Sequence, residues 1–109
     1  MATFASDVLF SIDTALQLTN GLNAETITTT KTLTYKDSTY QALKNVTGTI
    51  DVVLPATKSG CSFWIKNRAG SSSNLVVKDA DGNTFATLGA GNAVFMACDA
   101  TAWYDLMTG

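Results

Sequence analysis

Apolar and polar residues alternate along this chain in short runs, and turn-forming residues separate the runs. The clearest unit is 74–88. Leu75-Val76-Val77-Lys78 and Thr84-Phe85-Ala86-Thr87-Leu88 flank Asp79-Ala80-Asp81-Gly82-Asn83. Asp and Asn tolerate positive φ and Gly adopts it without a Cβ clash, so the middle five residues predict a hairpin turn. A hairpin alone is marginal in water and must join a larger sheet.

The same alternation recurs on either side. Residues 49–54 put Ile50, Val52 and Leu54 on one face, and Pro55 ends that run. Residues 61–66 put Cys61, Phe63 and Ile65 on one face and Ser62, Trp64 and Lys66 on the other. Ala93–Cys98 is apolar on both faces, which predicts a strand covered on both sides. Residues 102–106 close the pattern with Trp103 and Tyr104 on opposite faces. The loop 68–73, RAGSSS, reads as flexible surface.

Earlier in the chain the pattern is weaker. Phe10, Ile12, Leu16 and Leu18 alternate with polar residues, which predicts a strand from Phe10 onward. A rival helical reading uses Phe4, Val8, Ile12 and Leu16, with Ser6 as N-cap. Asn20-Gly21 is a two-residue turn signal. Residues 25–35 are rich in threonine and read as one strand, with Ile27, Leu33 and Tyr35 on one face. Residues 36–44 read as a turn and an irregular link, in which Tyr40 and Leu43 anchor one helical turn.

From Gly48 onward, turn signals recur every 8–12 residues or so, as in sandwiches and barrels. The expected fold is therefore all-β: a mostly antiparallel sandwich or barrel of about eight strands. The 109 residues suit one domain, 1–109, with an N-terminal arm over 1–32 and a core over 33–106.

Composition sharpens this picture. Hydrophobic residues make up 46% and charged residues only 15%, against about 25% charged in ordinary soluble domains. A chain so poor in charge either buries much of its surface or shares it with partners. Net charge is -2 and the seven cations are scattered, which argues against nucleic-acid binding through a basic face. No run reaches transmembrane length, and the opening residues lack a cationic leader region. Cys61 and Cys98 sit in strand-like surroundings and read as reduced thiols, with a disulfide open if their strands pair.

Candidate chemistry is sparse. There is no histidine, so serine nucleophiles have no imidazole base. The Asp79–Asn83 stretch lacks the glycine and glutamate positions of an EF-hand loop. Gly89-Ala90-Gly91 leads into a strand rather than a helix, unlike a dinucleotide fingerprint. Zinc would have only two distant cysteines and carboxylates. Among eight Asp and one Glu, nothing singles out a glycosidase pair, and hydrolysis ranks last. The expectation is a non-enzymatic protein with no cofactor and no metal.

The aromatics carry more. Trp64 follows Phe63 and Tyr104 follows Trp103, so in strands each pair points both ways. One set must meet a second sheet or a partner. Trp64, Phe95, Trp103 and Tyr104 are the candidate subunit-interface residues, at or near a threefold axis. Trp64 and Trp103 could also stack on sugar rings.

A family resemblance adds to this. The order Leu33-Thr34-Tyr35-Lys36-Asp37, Ile50-Asp51-Val52-Val53-Leu54-Pro55, Gly60, Phe63-Trp64-Ile65-Lys66-Asn67, Asp81-Gly82, Gly91, and Cys98-Asp99 ahead of Trp103 resembles a small β-domain of tailed-bacteriophage virion proteins. It spans 33–106 and occurs in capsid decoration proteins, head fibres and tail fibres. The resemblance implies a homotrimer without enzymatic activity and brings no catalytic residues. A short chain with its own Met suits a decoration protein on the outer capsid, made in the bacterial host cytoplasm. Its partners would be itself and the major capsid protein, with no nucleic acid or membrane. Phe4, Val8, Phe10 and Ile12 are the candidate capsid contacts. A receptor-binding or adhesive module of a tail or head fibre is the alternative.

Overall fold

The structure, a computed structural model, describes residues 21–57 and 61–108. These residues form nine strands in two sheets, with no helix. One sheet has the order β1-β3-β5-β8-β9 and comprises β1 (Leu22–Ile27), β3 (Tyr40–Asn45), β5 (Ser62–Asn67), β8 (Ala93–Cys98) and β9 (Trp103–Thr108). The other has the order β2-β4-β6-β7 and comprises β2 (Lys31–Thr32), β4 (Ile50–Val53), β6 (Leu75–Lys78) and β7 (Thr84–Leu88). The all-β expectation holds. The barrel does not: neither sheet closes on itself.

The antiparallel expectation needs correction. Among the described strands the pairs β1/β3, β3/β5, β2/β4 and β4/β6 are parallel. Only β5/β8, β6/β7 and β8/β9 are antiparallel. From β1 to β6 the chain alternates between the sheets, so each strand lies beside the one two places earlier. Three two-strand coils are stacked in this way, and the last three strands turn back and complete both sheets. Parallel neighbours here are reached by crossing to the opposite sheet, which satisfies the need for a long connection without a helix.

The two inward faces share one core. Leu43, Ile65, Val94 and Met96 come from the five-stranded sheet, and Val52, Leu75, Val77 and Leu88 from the other, all fully buried. Pro55 follows β4 as expected, and the 79–83 hairpin forms. Asp79 Oδ1 accepts the amides of Asp81 (2.9 Å) and Asn83 (2.8 Å), while Gly82 sits at φ 90°.

Two further expectations fail. Residues 25–35 are not one strand: the chain leaves the first sheet after Ile27 and reappears in the second as β2. Ile27 and Leu33 do bury, at opposite ends of that crossing. Residues 40–45 are not an irregular link but β3, second in its sheet. Its inward residues are Gln41, Leu43 and Asn45, two of them polar, so no apolar alternation announces it.

Those polar groups are held. Asn45 Nδ2 donates to the carbonyls of Gly48 (2.6 Å) and Asn74 (2.9 Å), and its Oδ1 accepts the Thr47 amide (3.0 Å). Asn67 Nδ2 donates to the carbonyls of Ser73 (2.9 Å) and Leu88 (2.8 Å). The 68–73 loop is anchored as well, because the Asn45 amide donates to Ser71 Oγ and its carbonyl accepts the Ser72 amide. At the β1 end the interior turns polar. Asn23 Nδ2 donates to Glu25 and Gln41, and Lys31 pairs with Glu25 at 2.8 Å.

Candidate functional site

The outward face of the five-stranded sheet is the feature without an internal explanation. Cα register places Leu22 opposite Tyr40, Tyr40 opposite Trp64, Trp64 opposite Phe95, and Phe95 opposite Met107. One apolar and aromatic row therefore crosses all five strands. Leu22 is 67% exposed, Tyr40 45% and Met107 62%. Trp64 and Phe95 are half-buried, and their rings stack on each other with centroids 4.5 Å apart. The stack accounts for their burial, since each ring shields a face of the other.

Beside this row runs a second one of Ala24, Ala42, Lys66 and Ala93. A groove of about 270 Å³ lies between Leu22, Tyr40 and Trp64 on one side and Ala42, Lys66 and Ala93 on the other. Lys44 stands one step further along β3, opposite Thr26. The carboxylates on these five strands, Glu25 and Asp105, are in register with the inward residues Leu43 and Met96. The strands thus present two cations and no anion on this face, and the nearest carboxylate is Asp99 in the β8–β9 turn, which accepts from the Tyr104 hydroxyl at 3.5 Å. The outer face of the four-stranded sheet differs, with Asp51 and Lys78 closing an ion pair at 3.1 Å.

The candidate interface residues divide. Trp64 and Phe95 meet in the row. Tyr104 shares their face from the edge strand, opposite Ala97 and 49% exposed. Trp103 does not join them. It is 5% exposed, its ring lies 6.1 Å from Phe63, and its Nε1 donates to the Pro55 carbonyl at 2.9 Å. As the first residue of β9 it faces the core, so the expectation of an interfacial or sugar-stacking Trp103 is corrected. Ala93–Cys98 is likewise covered on one face only. Phe4, Val8, Phe10 and Ile12 lie outside the described residues.

Leu22, Tyr40 and Met107 complete the row and were not anticipated. Their partners in the row lie 12 to 24 positions away in sequence, and only the strand register, parallel for Leu22 and Tyr40 and antiparallel for Met107, aligns them. Tyr40 was hidden further by its polar inward neighbours.

The titratable groups are engaged structurally. The Asn83 side chain, helped by amides of its own turn, holds Asp79 below the usual carboxylate range. The amides of Ala102 and Thr101 do the same for Asp99, and Lys31 with Asn23 does so for Glu25. Desolvation pushes the Tyr35 phenol up. A cleft of about 470 Å³ lies among Pro55, the 79–83 turn, Phe85 and Trp103. Of its two carboxylates, Asp79 is committed to its turn. Among the described residues no group of three metal-ligating side chains converges. Cys61 and Cys98 are not joined by a disulfide, although the Cys98 amide donates to the Cys61 carbonyl at 3.0 Å. What the arrangement offers is a largely apolar, grooved sheet face with two lysines on it. Compared with family models, with characterised proteins and with solved structures, the chain matches none.

Proposed function

We propose that this protein is a non-enzymatic structural subunit that acts by docking through the outward face of its five-stranded sheet. The observation that carries the reading is the row from Leu22 to Met107 across every strand. Exposed aromatic and aliphatic side chains in one continuous row are costly to leave in water and mark interaction surfaces. The low charge content points the same way.

The finer reading is a homotrimer that decorates the outer head surface of a tailed bacteriophage. It rests on the resemblance over 33–106, together with this face. Subunits that bind only the assembled shell stabilise it by mass action. An adhesive fibre module ranks second, because the Trp64 ring is already stacked on Phe95 and Trp103 lies in the core.

Light scattering on the purified protein tests self-association. The expected mass is that of a trimer at micromolar concentration, and Trp64→Ser lowers it toward a monomer with an unchanged circular dichroism spectrum. A monomeric wild type would refute the self-association. For the virion role, particles lacking the protein are expected to assemble yet lose DNA sooner on heating. Particles of unchanged composition and heat resistance would refute that part alone.

A further inference from the structure

We infer that the outward face of the five-stranded sheet is covered by residues 1–20 of a neighbouring copy; this rests on the self-association reading above and names what occupies the face.

The first argument is area. Five strands about 4.8 Å apart, each about 20 Å long, make a face of roughly 400 Å². A stable interface removes about 800 Å² from each partner. Sheet against sheet is therefore a small interface, and a further segment would enlarge it.

The second argument is charge. Lys44 and Lys66 point outward, and no carboxylate on the five strands shares their face. Neither lysine belongs to either ion pair formed among the described residues. Two such faces pressed together would set lysines against lysines, which disfavours a face-to-face pair. The matching chemistry lies elsewhere in the chain. Residues 1–20 hold Phe4, Val8, Phe10, Ile12, Leu16 and Leu18, with Asp7 and Asp13 and no Lys or Arg. That is an apolar, anionic segment for an apolar, cationic face.

The third argument is where the segment is attached and how far it reaches. Gly21 is pinned by the Tyr40 amide, which donates to its carbonyl at 2.6 Å. The segment therefore leaves at Leu22, on the edge strand, at one end of the row. The row is about 19 Å long, and even a third of a 20-residue segment spans that when extended. At this end of the described residues Asn23, Glu25, Lys31 and Gln41 form a polar network. A segment of one copy on the face of the next is a heterologous contact, which makes a ring where its rotation closes and an open filament where it does not. Such a contact needs no symmetric face-to-face pair.

Three full-length proteins test this by light scattering at about 0.05 M salt, where surface charges are weakly screened. They are the wild type, Asp7→Lys/Asp13→Lys, and the charge swap that adds Lys44→Glu/Lys66→Glu. The expected result is an associated wild type and a dissociation constant raised at least about tenfold by Asp7→Lys/Asp13→Lys. The swap restores association, which a variant that merely misfolded would not do. In the wild type, Ile12→Asp weakens association and shifts Trp64 emission to the red. An associated wild type whose mass is untouched by Asp7→Lys/Asp13→Lys and by Ile12→Asp overturns the segment and leaves the self-association reading intact. A monomeric wild type overturns both.

Discussion

Replacing Asn45 is the sharpest test of the way this fold turns its corners. Asn45 ends β3 and is fully buried. Its side chain makes three hydrogen bonds, to Gly48, Thr47 and Asn74. Each is worth about 1 kcal/mol net, and a buried partner left unsatisfied costs about 1–3 kcal/mol. Gly48 and Asn74 are exposed residues, so water can recover part of what their carbonyls lose. Asn45→Ala is therefore expected to cost about 2–3 kcal/mol. In urea that moves the midpoint down by about 1–2 M, for a slope of 1–3 kcal/mol/M. Asn45→Asp keeps the shape but sets a carboxylate oxygen against two carbonyls, and it should cost more than the alanine. Asn83→Ala removes one exposed hydrogen bond to Asp79 and serves as the control, with a shift under about 0.5 kcal/mol. A midpoint for Asn45→Ala within 0.3 M or so of wild type would refute the reasoning. So would an aspartate variant as stable as the native protein.

Other outcomes are as definite. Gly82→Ala costs about 1 kcal/mol in the same assay, because φ is 90° there while the space around a new Cβ is open; Gly89→Ala, without positive φ and with ordinary contacts, is expected to cost less, and the reverse order would sink the argument. Acid destabilises the protein. Glu25, Asp79 and Asp99 all have folded-state pKa values below their ordinary ones, so the stability they add is present above the unfolded values near 4 and is lost as pH falls through the folded ones. Glu25→Gln flattens that dependence in pH-resolved urea melts, and an unchanged slope would contradict the assignment. Mild oxidation with diamide joins Cys61 to Cys98 within one chain, since hydrogen-bonded partners on antiparallel strands have Cα atoms about 5.5 Å apart, within disulfide range. A reductant-sensitive gel shift checks it, and its absence would deny that the two thiols face each other.

The elements most legible in the sequence were those with a simple code. The 79–83 hairpin announced itself through Asp, Gly and Asn, and Ala93–Cys98 through an unbroken apolar run that matches β8. What stayed hidden was connectivity. Alternation shows which side chains share a face, but it is the same for parallel and antiparallel neighbours. Nothing local at Ile27 or Asn45 tells whether the chain folds back or crosses to the opposite sheet. β3 was lost because Gln41 and Asn45 occupy inward positions, which period-two reading takes for outward ones. The docking row was half-legible for the same reason. Trp64 and Phe95 drew notice as aromatics on strands, whereas Leu22, Tyr40 and Met107 joined them only through register. Trp103 was misplaced because its position at the start of β9, with Pro55 to receive its indole N–H, is a tertiary fact.

Once the topology is known, the polar residues at strand ends divide by role. Where the chain crosses between sheets, after β3 and after β5, the last residue is a buried asparagine. Where it turns back within a sheet, after β6 and after β8, the next residue is an aspartate, half-buried at Asp79 and exposed at Asp99, whose carboxylate accepts amides of its own turn. The chemistry separates the two. A crossing leaves backbone carbonyls pointing inward, and a neutral amide can donate to two of them without burying charge. A hairpin tip presents amides to solvent, where a charged acceptor is the stronger partner and pays little desolvation. The rule is confined to these four corners, since the crossings after β1, β2, β4 and β7 follow Ile27, Thr32, Val53 and Leu88.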